Sequence, residues 1–140
     1  MNSRKRRRSR GGFTLMEVLL VLAILVILSS LAVVGYQQIQ KNMYQRAAKV
    51  QIELYSEAAD IYYTDVGMFP MQLQDLIIPP QDVPENKWKG PYLKGELQTD
   101  PWGTDYEYSV IQDGLGNDKV QIRSAGPNRI SGDNDDVANI

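Results

Sequence analysis

In 140 residues the chain holds 15 basic and 17 acidic side chains but neither cysteine nor histidine, a length that bounds it to one domain and an accessory segment. Without cysteine there is no disulfide, thiolate nucleophile or sulfur ligand, and without histidine the usual general base and the commonest zinc ligand are missing. No nucleophile motif or phosphate-cradling loop stands beside the remaining carboxylates and lysines, so the chain is read as non-enzymatic.

Charge is laid out unevenly. Residues 1–12 carry Arg4, Lys5, Arg6, Arg7, Arg8 and Arg10 and no acid. Setting those six cations aside leaves nine of the fifteen basic groups against seventeen acids, a net charge of −8. Such an acidic body argues against nucleic-acid binding. Beside an apolar span, the arginine run instead sets topology, with the amino terminus cytoplasmic and the remainder across the membrane.

From Phe13 to Val34 nearly every side chain is apolar, and Glu17 is the only ionisable one. At about 1.5 Å per residue the segment is long enough to cross a bilayer core as a helix. It is too long for a secretory signal, and Ala32-Val33-Val34 is a poor cut site for one. A carboxylate in such a span costs a few kcal/mol on insertion scales, which marks Glu17 as functional. A plain anchor would leave it unexplained.

Past Gly35-Tyr36, the apolar residues Ile39, Met43, Ala47, Val50, Leu54, Ala58 and Ile61 recur at steps of three and four, predicting a helical stripe buried under the rest of the domain. A continuous helix from about Phe13 to Thr64 would run on the order of 75 Å. Gly67 and Pro70 end it. Residues 71–91 read as loop with one helical turn near Leu73 to Ile77, because Pro79, Pro80, Pro84 and Pro91 forbid longer elements. Asp100-Pro101-Trp102-Gly103 is a turn whose tryptophan adds mass to a small core. Tyr106, Tyr108 and Val110 alternate with polar residues, as do Val120 and Ile122, around the glycine-rich 113–118. The pattern predicts a β-hairpin packed on the helix stripe. The fold class is therefore α+β, a long N-terminal helix on a small antiparallel sheet.

A basic leader ending at Gly12, then Phe13-Thr14-Leu15-Met16-Glu17, then an apolar span, resembles the class III signal of type IV pilins and type II secretion pseudopilins. The resemblance implies that the prepilin peptidase cuts between Gly12 and Phe13 and methylates the new terminal nitrogen of Phe13. It also implies that Glu17 meets the terminal amine of a neighbouring subunit, a pairing that offsets the burial of both charges only in an assembled filament. The chain then divides into a cleaved leader (1–12), a transmembrane and filament-core helix (13–35), an amphipathic helix (36–66) and a loop and β-sheet head (67–140).

The head carries further likenesses. Asp60 to Pro70, Trp88-Lys89-Gly90-Pro91-Tyr92-Leu93 and Asp100-Pro101-Trp102-Gly103 resemble segments of type II secretion major pseudopilins. Ser124 to Asp136 resembles their calcium loop, a fitting use of oxygen donors on a bent backbone. The implied ligands are the side chains of Asn128, Asp135 and Asp136 with backbone oxygens of Ala125 and Asp133; the Asp133 carboxylate is a further candidate. The bland alternative is a solvated acidic tail. Asn128 stands where the family has aspartate and Arg129 where it has glycine, which lowers the ligand charge. Val34 occupies the position of a usual proline.

The implied function is a structural subunit of a type II secretion pseudopilus in the bacterial inner membrane. Its partners would be copies of itself, minor pseudopilins, the prepilin peptidase, and the assembly platform with its ATPase. A type IV pilin or competence pseudopilin would share the stem, although those heads often close with a disulfide. A non-polymerising, membrane-anchored calcium-binding module is the alternative of a different class.

Overall fold

A computed structural model describes residues 12–140, with residues 32–35 described by their backbone alone; the basic leader expected over 1–12 lies outside them except for Gly12. The chain divides into two units, Met1–Gln40 and Lys41–Ile140. Helix α1 (Leu15–Val66, 52 residues) contributes to both.

In the first unit α1 is apolar, and its large side chains from Leu15 to Leu31 are all exposed. It is the helix among the described residues with the length and composition to cross a membrane. Ser29 and Ser30 return their hydroxyls to the carbonyls of Leu25 and Ile27 at 2.7 Å each, so neither offers an unpaired polar group to lipid.

In the second unit α1 packs its inner face on the sheet. Strand β1 (Glu107–Gln112) pairs antiparallel with β2 (Asp118–Ser124), and β2 with the short β3 (Val137–Ala138). Tyr108 stands opposite Ile122 and Val110 opposite Val120. On β2 the buried residues Val120, Ile122 and Ser124 alternate with more exposed ones, as a sheet covered on one face requires. Val120 and Ile122 meet Ile52, Tyr55, Ala59, Tyr62 and Val66 of α1 in one core. Tyr55 sets its ring edge-on to Tyr106 with centroids 5.5 Å apart, a favoured aromatic geometry.

This inner face corrects the expected stripe. Of the seven apolar residues read as core-facing, Ala58 alone is buried, while Met43, Val50, Leu54 and Ile61 are each about half exposed or more. The helix carries two apolar stripes. Its inner one consists of Ala48, Ile52, Tyr55, Ala59, Tyr62 and Val66, and mixes small residues that let the sheet approach with tyrosines that hydropathy scores low. The more hydropathic stripe faces away.

Elsewhere the turns follow local chemistry. Gly67 ends α1 at φ 91, donating to the Tyr63 carbonyl at 2.8 Å, a left-handed C-terminal stop. The single turn after it is a 3-10 helix, Leu73–Leu76, started by the buried Asp75, whose carboxylate accepts the backbone N–H groups of Met71 and Gln72. Trp102 differs from expectation: it is only half-buried and packs its edge against Tyr44, whereas Trp88 joins the core margin and donates its indole N–H to the Asp75 carbonyl at 3.1 Å.

Candidate functional site

Two places gather the residues singled out by the sequence. The first is the start of α1. Gly12, Phe13 and Thr14 precede the helix in irregular backbone and are exposed. Thr14 and Glu17 form a capping box: the Thr14 hydroxyl accepts the Glu17 N–H at 3.2 Å, and Glu17 Oε2 accepts the Thr14 N–H at 3.2 Å and its hydroxyl at 3.3 Å. Two backbone donors that an N-terminus leaves unpaired are thereby satisfied. The carboxylate also sits at the positive end of the helix dipole. An open recess of about 450 Å³ beside it is lined by Phe13, Glu17, Val18, Val21 and Leu22. A peptide bond outside regular structure and an anchored carboxylate thus lie within one turn of each other.

The second place is the loop joining β2 to β3. Gly126, at φ 67, brings its backbone so close to the Asp135 carbonyl that a Cβ there would collide with it. The expected ligand segments around Ala125 and Asp135 are therefore adjacent. Asn128 Nδ2 donates to Asp133 Oδ2 at 2.5 Å and to Asp135 Oδ1 at 2.9 Å, while its Oδ1 accepts the Ile130 N–H at 2.7 Å. The contact between the two aspartates holds Asp133 below the usual carboxylate range and pushes Asp135 above it. Asp136 Oδ2 accepts the Gly132 N–H at 2.8 Å and lies 3.6 Å from Arg123 Nη1. Asp136 Oδ1 is buried without any hydrogen-bond partner, on a side chain only 10% exposed.

An orphaned buried carboxylate oxygen is a costly group that a water or a hard cation would satisfy. The donors are of the kind calcium takes, carboxylate and carbonyl oxygen. Asn128 differs: its nitrogen lies between the carboxylates as a neutral substitute for a cation. Among the described residues no three acidic side chains already converge on one point. Calcium would therefore draw on Asp133, Asp135 and Asp136 with the Ala125 carbonyl, and Asn128 would have to turn its amide oxygen inward to join them.

Several supporting residues went unrecognised in the sequence. Asp100 is buried and accepts the Ser124 hydroxyl at 2.6 Å and the N–H groups of Trp102 and Thr104, tying the 100–103 turn to the root of the acidic loop. Asn139 bridges β2 and α1: its Oδ1 accepts the Ile122 N–H, and its Nδ2 donates to the Val120 carbonyl and to Ser56 Oγ. The turn bonds of Asp100 are local, but its bond to Ser124 and the reach of Asn139 follow no local pattern. The Thr14-x-x-Glu17 spacing does follow one, being a capping-box signature.

A long N-terminal helix with a small three-stranded antiparallel sheet is the type IV pilin-like fold. The chain is similar to the crystal structure of the major pseudopilin from the type 2 secretion system of enterohaemorrhagic Escherichia coli, with TM-score 0.57 and 24% identity over 73% of this chain and 87% of that one. Residues 7–33 match the prokaryotic N-terminal methylation motif, and residues 36–140 match the model for type II secretion system (T2SS), protein G. Relatives named type II secretion system core protein G include that of Aeromonas hydrophila, 35% identical over 95% of this chain and 94% of the relative, and that of Klebsiella michiganensis, 32% identical over 96% and 95%. The protein of Vibrio cholerae serotype O1 is 36% identical over 74% and 73%. The chain belongs to the type II secretion system protein G family.

Proposed function

We propose that the chain is a structural subunit of a type II secretion pseudopilus, cut by the prepilin peptidase between Gly12 and Phe13, methylated at Phe13 and polymerised with copies of itself. Family membership supports the class of function. The single observation that carries the polymer reading is that α1 leaves two apolar surfaces uncovered: the span from Leu15 to Leu31, and the stripe of Met43, Val50, Leu54 and Ile61. A membrane can cover the first. The second lies on the part of the helix that carries the head, so a neighbouring subunit is its natural cover.

In this reading the subunit enters the inner membrane with its basic leader in the cytoplasm and its head in the periplasm. Copies extend a filament from the assembly platform and its ATPase, joined by minor pseudopilins, and export follows through the outer membrane. Glu17 meets the new Phe13 amine of a neighbour, and the capping box holds the carboxylate in place beforehand. Calcium, bound through Asp133, Asp135 and Asp136, fastens the carboxyl-terminal loop to the head. The orphaned Asp136 oxygen supports that assignment.

Expression of the full chain with the peptidase and platform, followed by mass spectrometry and cross-linking in membranes, tests the proposal. The expected result is a chain beginning at methylated Phe13 that forms a multimer ladder, with Glu17→Ala inserted in the membrane but poorly assembled. A chain trimmed elsewhere, or Glu17→Ala assembling like the parent, would overturn it.

A further inference from the structure

Strand β1 is an outer strand: the sheet order is β1-β2-β3, so one of its edges meets no other strand among the described residues. The hairpin closes with the Asp113 N–H on the Asn117 carbonyl at 2.8 Å, which fixes the direction of every backbone group behind it. Hydrogen-bonded pairs alternate with non-bonded ones in an antiparallel ladder. Counted back along the register, Glu107, Ser109 and Ile111 bond to Arg123, Gln121 and Lys119. The backbone N–H and C=O groups of Tyr108, Val110 and Gln112 therefore point out of the sheet. Among the described residues, nothing hydrogen-bonds to those outward groups. Native edges are guarded by proline, lysine, a bulge or short length. β1 runs six residues in unbroken register without any of these. Tyr108 and Val110 share the core face of the sheet, yet Val110, at the open margin, is 43% exposed.

We infer that the β1 edge takes up an extended segment of another polypeptide as a fourth strand, one that alternates apolar with basic side chains. Strand addition gives the outward backbone groups their partners, and alternate side chains decide which segment fits. Apolar residues of the segment lie beside Tyr108 and Val110 on the core face, and the residues between them lie beside Glu107 on the other. Glu107 and Asp105 are exposed, and among the described residues neither is in an ion pair. Glu107 accepts only a neutral hydroxyl, that of Ser131. The cations of β2 are already engaged, Lys119 by Asp113 and Arg123 by Asp136, so the edge favours a basic segment. Asp105 also stands on the rim of an open cleft of about 330 Å³ walled by Tyr106 and Tyr108, which gives a flanking cationic side chain both a carboxylate and aromatic rings. A second copy of the chain fits poorly. β1 against β1 is a two-fold contact that closes at a dimer, and β3 offers only two residues to pair with six.

The detergent-solubilised full chain, titrated with a short synthetic peptide alternating valine with lysine, tests this. Amide exchange followed by NMR should slow at Tyr108, Val110 and Gln112 and stay unchanged at Glu107, Ser109 and Ile111, which β2 already holds. The same peptide with glutamate in place of lysine should bind about tenfold more weakly. Val110→Pro and Gln112→Pro each delete one outward N–H while sparing the ladder to β2, and each is expected to weaken the lysine peptide about tenfold. Thermal unfolding measured alongside identifies any variant that has lost its fold, and the exchange pattern of the parent decides the case without the variants. No binding, protection anywhere but at the three outward amides, or parental affinity in the folded proline variants would overturn strand addition. Equal affinity for the glutamate peptide would overturn the basic partner. Protection of the same three amides in the peptide-free chain, growing with its concentration, would make a second copy the occupant and overturn the proposal.

Discussion

Asp100 and Ser124 meet inside the head through a 2.6 Å hydrogen bond from hydroxyl to carboxylate, and neither is more than 3% exposed. The pair joins the Asp-Pro-Trp-Gly turn to the end of β2. The same hydroxyl accepts the Gly126 N–H at 3.2 Å, so the acidic loop begins from this fixed point. The buried Asp100 side chain is satisfied by accepting several donors at once.

Ser124→Ala should therefore do more than delete a surface hydroxyl. It leaves a buried carboxylate oxygen and a buried backbone N–H short of a partner, a loss of about 1–3 kcal/mol for an unsatisfied group. Thermal unfolding of the parent and variant should show that drop. An unchanged melting temperature would mean that water replaces the hydroxyl at no cost.

A second anchor holds the end of α1. Asp65 lies in its last turn, where the helix dipole disfavours an anion, and it accepts Lys89 Nζ at 2.9 Å and the Tyr92 hydroxyl at 3.2 Å. The hydrogen bond from Lys89 holds the Asp65 carboxyl below its ordinary range, and the same bond raises the Lys89 ammonium. A depressed carboxyl contributes stability above its unfolded pKa, and that contribution is lost as pH falls through the lower folded value. Asp65→Asn should thus melt earlier than the parent at neutral pH and converge with it in strong acid. Lys89 is largely exposed, so the difference should be small and should shrink with added salt. Parallel melting curves that never converge would disprove this account.

At the alkaline end the sign reverses. Burial, with Asp100 nearby, pushes the Tyr106 phenol up to about 12, and burial beside Asp75 raises Tyr108 further. Tyr108 also donates to the Pro70 carbonyl at 2.6 Å. Groups with raised folded pKa values stabilise fully below the unfolded value, near 10, and lose that contribution as pH climbs through the folded one. Tyrosinate absorbance should show these two phenols ionising late and together with unfolding. Tyr106→Phe should flatten the fall in stability between about pH 10 and 12. If both tyrosines titrate with the exposed ones, the burial assigned to them is wrong.

Much of this architecture was readable from local signals. The apolar run, the stop at Gly67 and the hairpin around 113–118 each rest on chemistry within a few residues. The inner face of α1 was harder, because Tyr55 and Tyr62 bury against Tyr106 and Tyr92, partners that periodicity does not reveal. Val50 and Leu54 score as core and yet face outward, since an assembling helix needs apolar residues on both sides. β3 is two residues long and has no pattern to detect. In the acidic loop, composition could indicate oxygen donors for a cation, whereas the direction of the Asn128 amide depends on where Asp133 and Asp135 finally stand.

That amide supports the last prediction. Asn128 donates to both Asp133 and Asp135, doing without charge what a bound cation would do with it. Asn128→Asp removes the two donors and adds an anion to a cluster whose members already perturb each other's protonation. In chelator the variant should be less stable than the parent, because like charges then face each other unscreened. Calcium should reverse the order, since a fourth carboxylate raises the ligand charge. Saturation to about 100 times Kd adds about 2.7 kcal/mol to any folded state that alone binds the ion. Calcium-dependent melting of the detergent-solubilised full chain, run on the parent, Asn128→Asp and Asp136→Ala, separates the cases. The parent should gain modestly and Asn128→Asp strongly, and Asp136→Ala should lose its response. Equal calcium shifts in the parent and Asp136→Ala would place the ion elsewhere. No shift in any of the three would leave the Asn128 amide as the group that closes this loop.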